Sequence, residues 1–158
     1  MRKRLRTSLV ALVLLLGLGC ERAEGPAPVA WDRTRCSQCG MLISEPAWAA
    51  QLHEVGGPVQ HFDDPGCLLV ALEDDAPEAR ASEVKLYFHH LHQDLWIPGD
   101  EVAFTPADHS PMGYGIGAVV AGESATEIPF DQARSLAKER DRARQASANP
   151  EISPAATR

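Results

Sequence analysis

Two cysteines and a methionine fall within six residues in the run Cys36-Ser37-Gln38-Cys39-Gly40-Met41. A tight turn brings cysteines at this spacing to one point, and Gly40 relieves the backbone crowding there. Three chemistries fit. The pair can close as a disulfide, structural or redox-active. It can supply half of a zinc site, because a cysteine pair followed by glycine also builds a zinc-knuckle turn. Or Cys39 and Met41, two residues apart, can present a thiolate and a thioether from one side of a strand. Ligand softness separates these options: copper(I) takes thiolate and thioether sulfur, whereas zinc does not use methionine. The second internal methionine, Met112 in Pro111-Met112-Gly113, is therefore informative. Proline and glycine fix and expose a loop, and neither methionine lies in a helical apolar stripe, the usual setting for one that merely fills a core gap.

The amino terminus sets the redox context. A basic stretch from Met1 to Arg6 precedes an apolar run, Leu9 to Leu18, that ends at Gly19-Cys20. The run is shorter than the roughly 20 residues of a bilayer span and reads as a signal-peptide core. The small residue before Cys20 matches a lipoprotein cleavage box, although Gly17 stands where leucine is more usual. Residues 1–19 are thus expected to be a lipoprotein signal peptide and Cys20 a lipidation site, carrying palmitate or a related chain. The protein would be membrane-anchored in the cell envelope, facing the periplasm. A signal peptide cut elsewhere, or an inserted anchor, is the competing reading. Acylation removes Cys20 from metal or disulfide chemistry and leaves Cys36, Cys39 and Cys67. In an oxidising compartment a bare thiol pair tends to close, whereas a thioether cannot. A Cys36–Cys67 bridge would leave Cys39 for copper and a Cys36–Cys39 bridge would remove it; spacing does not choose between them.

Three motifs follow in order: Cys36-x-x-Cys39-Gly40-Met41, then Phe62-Asp63-Asp64-x-Gly66-Cys67, then Pro111-Met112-Gly113. In this the chain resembles the NosL family, copper-binding lipoproteins associated with maturation of nitrous oxide reductase. The resemblance spans roughly Cys36 to Leu136, plus the leader, and the ordered triplet is far more specific than any one piece. It implies paired strand–strand–helix–strand modules similar to part of the organomercurial lyase fold. It also implies copper(I) handling by Cys39, Met41 and Met112 without enzymatic turnover. The family follows its last helix with a glycine-rich turn and a closing strand. Here Leu136 leads into Lys138-Glu139-Arg140-Asp141-Arg142, so the second module is expected to be truncated.

Cys36, Cys67 and His61 are further candidate ligands. Together with Cys39 they define a structural zinc domain as one alternative, and Cys36 with Cys39 defines an exported thiol-disulfide oxidoreductase as the other. The latter lacks the strand–helix context of a thioredoxin-like motif. His89, His90 and His92 crowd one segment and His109 lies near Met112. These rank as secondary ligands, because a single histidine is more often a surface or core residue. Helix capping and a solvated helix end account for Asp63, Asp64, Asp74 and Asp75. No serine–histidine–acid triad or phosphate loop is visible.

The 158 residues are 44% hydrophobic and 23% charged, ordinary for one compact domain. Without the first nineteen residues, 11 basic stand against 22 acidic ones, a net charge of −11. That balance argues against nucleic acid as a partner. The expected partners are the membrane, through the lipid on Cys20, and an apo-metalloenzyme or copper transporter. Residues 20–30 contain Gly25, Pro26 and Pro28 and read as a flexible tether, with the fold beginning near Trp31. Met41 to Val55, broken by Pro46, predicts two strands and a turn. Val59 to Phe62 predicts a strand, followed by a helix capped by Asp64 with Pro65 at its first position. Val84 to Ile97 alternates as strands, which Glu101 to Phe104 would continue in the same sheet. Ile116 to Ala121 predicts a final strand. Ile128, Phe130, Ala133, Leu136 and Ala137 then form one stripe of a helix opened by Pro129. The fold class is α+β with two small modules. The metal-binding domain covers residues 31–140, and a disordered tail covers 141–158.

Overall fold

The computed structural model describes residues 25–72 and 84–148. The leader at 1–19, Cys20, Asp74, Asp75 and residues 149–158 lie outside the described residues. The architecture is α+β. Strand β1 (Ala50–Glu54) and strand β2 (Val59–Phe62) form a hairpin with Ala50 opposite Phe62, turning through Gly56 at φ +77°. Helix α1 (Pro65–Ala71) follows. Its start is as expected: Asp64 is the cap, accepting from the Gly66 N–H at 2.8 Å, and Pro65 opens the helix. Strand β3 (Val84–His89) then pairs with β1, and strand β4 (Trp96–Pro98) with β3, giving the antiparallel order β2-β1-β3-β4.

The second half contains strand β5 (Val102–Pro106), strand β6 (Ile116–Val120) and helix α2 (Phe130–Ala148). Strand–strand–helix–strand–strand is thus followed by strand–strand–helix. The segment expected to continue the first sheet does not. After Gly99 donates to the Leu86 carbonyl, Glu101 donates back to Pro98 at 3.0 Å, and this turn sends β5 into a separate sheet with β6. The two halves share one core. Phe88 from β3 and Phe104 from β5 meet edge to face at 5.2 Å, and Phe130 of α2 approaches both. Ala133 and Ala137 are the fully buried face of α2, and α1 packs against that helix.

Three boundaries move. The tether is docked at its end: Gln51, fully buried in β1, exchanges two 2.8 Å hydrogen bonds with the backbone of Ala27. Between Met41 and Val55 only β1 is a full strand. Leu42 makes a single bridge to Arg35, and Pro46–Trp48 form a 3-10 turn. Helix α2 also runs past residue 140 to Ala148, so residues 141–148, assigned to the tail by their charge, are helical. Their partner is Tyr114, whose hydroxyl donates to Asp141 at 3.0 Å while the Arg144 guanidinium lies 4.4 Å above its ring. Among the described residues no helix is long and apolar enough to cross a membrane.

The Tyr114 ring also sets a packing limit. A Cβ added to Gly66 would lie 2.1 Å from Tyr114 Cγ. Gly66→Ala is therefore expected to lower stability by about 1–3 kcal/mol, the usual cost of overpacking. Urea unfolding checks this, and an unchanged midpoint would mean that the ring can yield.

Candidate metal centre

The cysteine turn is built by its own backbone. The Cys36 N–H donates to the Met41 carbonyl at 2.8 Å and the Gly40 N–H to the Cys36 carbonyl at 3.0 Å, with Gly40 at φ +78°, where a side chain would be strained. Two more amides point at sulfur: the Cys39 N–H at Cys36, and the Met41 N–H at Cys39. The Ser37 N–H donates to the His61 carbonyl at 2.8 Å, which ties the turn to the end of β2. Cys67, in the first turn of α1, and Asp63, just before its cap, arrive from below. One ligand atom each from Cys36, Cys39, Asp63 and Cys67 lies within 4.8 Å of all the others. Two sulfurs bound at ~2.3 Å to one ion lie at most ~4.6 Å apart, so these four donors stand close to ligand spacing. They can hold a metal ion. All three thiols are free.

Hydrogen bonding sets which sulfur gives up its proton. The Cys67 thiol donates to Cys36, and backbone amides of Cys39 and Asp63 add to it. Together they lower the Cys36 pKa to about 7 against the burial that raises it. Cys67 is pushed far above the ordinary thiol value, first because it is the donor in that bond and then by burial. Cys39 is pushed up to about 12, chiefly by burial, with Cys36 and Asp63 adding to the rise. Its sulfur lies 3.4 Å from both carboxylate oxygens of Asp63 and donates there. Exposure follows a different order: Cys36 is 3% exposed and Cys67 fully buried, while Cys39 reaches the surface.

The structure brings together Cys36, Cys39 and Cys67 from the candidates read in sequence. Asp63 is the addition. Capping explains its neighbour Asp64 but not Asp63 itself, which is 3% exposed and faces sulfur. Nothing in the sequence marks it, since beside Asp64 it reads as a second cap residue. Met41 is 48% exposed and joined to the cluster through its backbone. Met112 is half-buried, and its N–H is bound at 3.0 Å by Asp64, one residue from Asp63. His61 lies outside the four-donor group; burial lowers its pKa, and its Nδ1 is buried with no hydrogen-bond partner.

Three further histidines make contacts within the fold. His90, fully buried, accepts at Nδ1 from the N–H groups of His92 and Gln93, and its Nε2 lies 2.7 Å from Glu123, stapling the β3–β4 turn to the loop after β6. His89 pairs with Asp94 and packs on Trp96. His109 packs on Trp48.

No protein-family model, curated protein or solved structure matches the chain.

Because Cys39 and Cys67 retain their protons at neutral pH, an ion bound by their thiolates must displace them. Apparent metal affinity is expected to rise with pH, about tenfold per unit for each proton released. The slope above pH 7 should approach two with both thiols ligating and fall by one in Cys67→Ser. Competition titrations between pH 7 and 8.5 read it, and a flat profile would show that neither thiol is ionised by the metal.

Proposed function

We propose that the protein is a membrane-anchored, extracytoplasmic copper(I)-binding protein related to the NosL family. In this reading it is lipidated at Cys20 and acts as a metallochaperone that presents copper(I) to a periplasmic metalloenzyme such as nitrous oxide reductase. The convergence of Cys36, Cys39, Cys67 and Asp63 within 4.8 Å carries this reading. Three sulfurs suit a soft ion. Met41, half-exposed, follows Cys39 by two residues, and the Met112 N–H is bound by Asp64, the neighbour of Asp63; thioether sulfur adds to copper(I) affinity without requiring deprotonation. Here the ion is cargo, held where the outermost donors, Cys39 and Met41, are accessible to a receiving protein's ligands.

The same cluster supports a second reading, a structural zinc site. Its four donors match zinc's coordination number, and a carboxylate is a harder ligand than copper(I) prefers. Asp63 then replaces His61 in the ligand set drawn from sequence. An oxidoreductase receives less support. Its attacking thiolate would have to be accessible, whereas Cys36, the thiol nearest to ionisation, is buried, and the accessible Cys39 is held protonated.

Metal competition separates the two. With the full chain in detergent, Cys39→Ser is expected to abolish tight copper(I) binding. Met41→Leu and Met112→Leu should each weaken it by at least about tenfold, the scale on which even residues that only orient ligands act, while leaving zinc affinity unchanged. Copper(I) affinity indifferent to both methionines, with zinc bound tightly, would establish the zinc site instead.

A further inference from the structure

We infer that Asp64 is a positioning residue of the metal site, pinning the Met112 loop against the start of α1 so that Met112 is held beside the cysteine–aspartate cluster. The inference rests on the reading of Met112 as a copper ligand.

Capping explains only half of what Asp64 does. Its Oδ1 accepts from Gly66, as a cap requires. Its Oδ2 accepts from the Ser110 hydroxyl at 2.5 Å and from the Met112 N–H at 3.0 Å, across more than forty residues of chain. The Ser110 oxygen in turn accepts from the Gly115 N–H at 3.0 Å, closing the loop on itself. Asp64 is fully buried. A cap for a seven-residue helix does not need a buried carboxylate, since serine or threonine at a partly exposed position would serve. What the carboxylate adds is a second oxygen able to take two donors from another part of the chain. The loop is gripped from its other side as well. The Tyr114 ring lies against Gly66, and Arg140 donates to the Tyr114 carbonyl. Gly113 and Gly115, at φ +71° and +57°, provide the backbone turns between these anchors. The loop and the start of α1 therefore move as one piece, and Asp63 and Cys67 belong to that piece.

A double-mutant cycle tests this on the full chain in detergent, with Asp64→Asn, Met112→Leu and the double variant. Copper(I) affinity is measured against a chromophoric copper(I) chelator, and amide exchange across residues 110–115 is followed in the metal-free protein. Asp64→Asn is expected to accelerate exchange in that loop and to weaken copper(I) binding about tenfold. That loss should disappear in the Met112→Leu background. Losses that add in full would mean that Asp64 does not act through Met112, and unchanged loop exchange would mean that it does not hold the loop; either overturns the inference. If Met112→Leu alone leaves copper affinity unchanged, the methionine part of the proposed function fails and the positioning role fails with it, whatever the exchange shows. Should Asp64→Asn not fold, Ser110→Ala removes one arm of the clamp and keeps the cap; faster exchange with weaker copper binding supports the inference, and no change in either overturns it.

Discussion

Two consecutive carboxylates, buried at the point where the chain leaves β2 and enters α1, organise this molecule. Asp64 has the extended backbone of a cap residue, φ −147° and ψ 135°, so its side chain and that of Asp63 leave the chain in different directions. Asp64 turns into the protein and takes three donors, two of them from a distant loop. Asp63 turns toward the cysteine turn and takes the Cys39 thiol. Burying a carboxylate is costly unless hydrogen bonds replace its water. Asp64 meets much of that demand within the protein, although burial still outweighs its three hydrogen bonds and raises its pKa. Asp63 faces thiols instead: its two hydrogen bonds from Cys39 are long, at 3.4 Å, and Cys36 lies beside it as well, a setting a cation would complete.

The sulfurs make the same point. A buried cysteine usually behaves as a small hydrophobe, and Cys36 and Cys67 pack with the core as such residues do. A hydrophobic role does not place three sulfurs and a carboxylate within 4.8 Å, with backbone amides aimed at two of the sulfurs. Electrostatics in the cluster are managed by keeping protons: Cys36 gives its proton up most easily chiefly because Cys67 keeps its own and donates it, while Cys39 keeps its proton and donates it to Asp63. One positive ion in the centre would take over the task that those two protons perform.

Local rules made part of this legible in the sequence. The Asp64 cap with Pro65 behind it, the β2 strand over Val59 to Phe62 and the turn of Cys36 to Gly40 are each fixed by neighbours in the chain, and each is where the residues predict it. So is the apolar stripe of α2, while β3 alternates only from Val84 to Leu86 and then buries Tyr87, Phe88 and His89 in a row. Three departures are long-range. The charges of residues 141–148 read as solvated, and only Tyr114, from a distant loop, makes Asp141 and Arg144 useful partners inside a helix. Gly25 to Ala30 has a linker's composition, and only the buried amide of Gln51 explains its docking. Asp63 is the telling case. Beside a capping aspartate it has the same sequence signature as a second cap residue, and its role depends on which way β2 delivers it relative to a turn more than twenty residues earlier.

The arrangement also accounts for why the candidate site stands where it does. Cys36 and Cys39 precede the first sheet, Cys67 and Asp63 sit at the start of its helix, and Met112 lies in the β5–β6 connection of the second. A site made of one local turn would form or break with that turn alone. The four clustered donors all belong to the first half; with Met112 as a ligand, as proposed, the site would also need the second half docked, through the Phe88–Phe104–Phe130 joint and through the Asp64 clamp. Depth then divides the donors: Cys36 and Cys67 are sealed beneath the turn, while Cys39 and Met41 face outward. An ion on such a set would be held from below by ligands packed into the core and closed from above by ligands at the surface. Ligand exchange with an incoming protein could then begin at the outer face while the inner thiols still hold the ion.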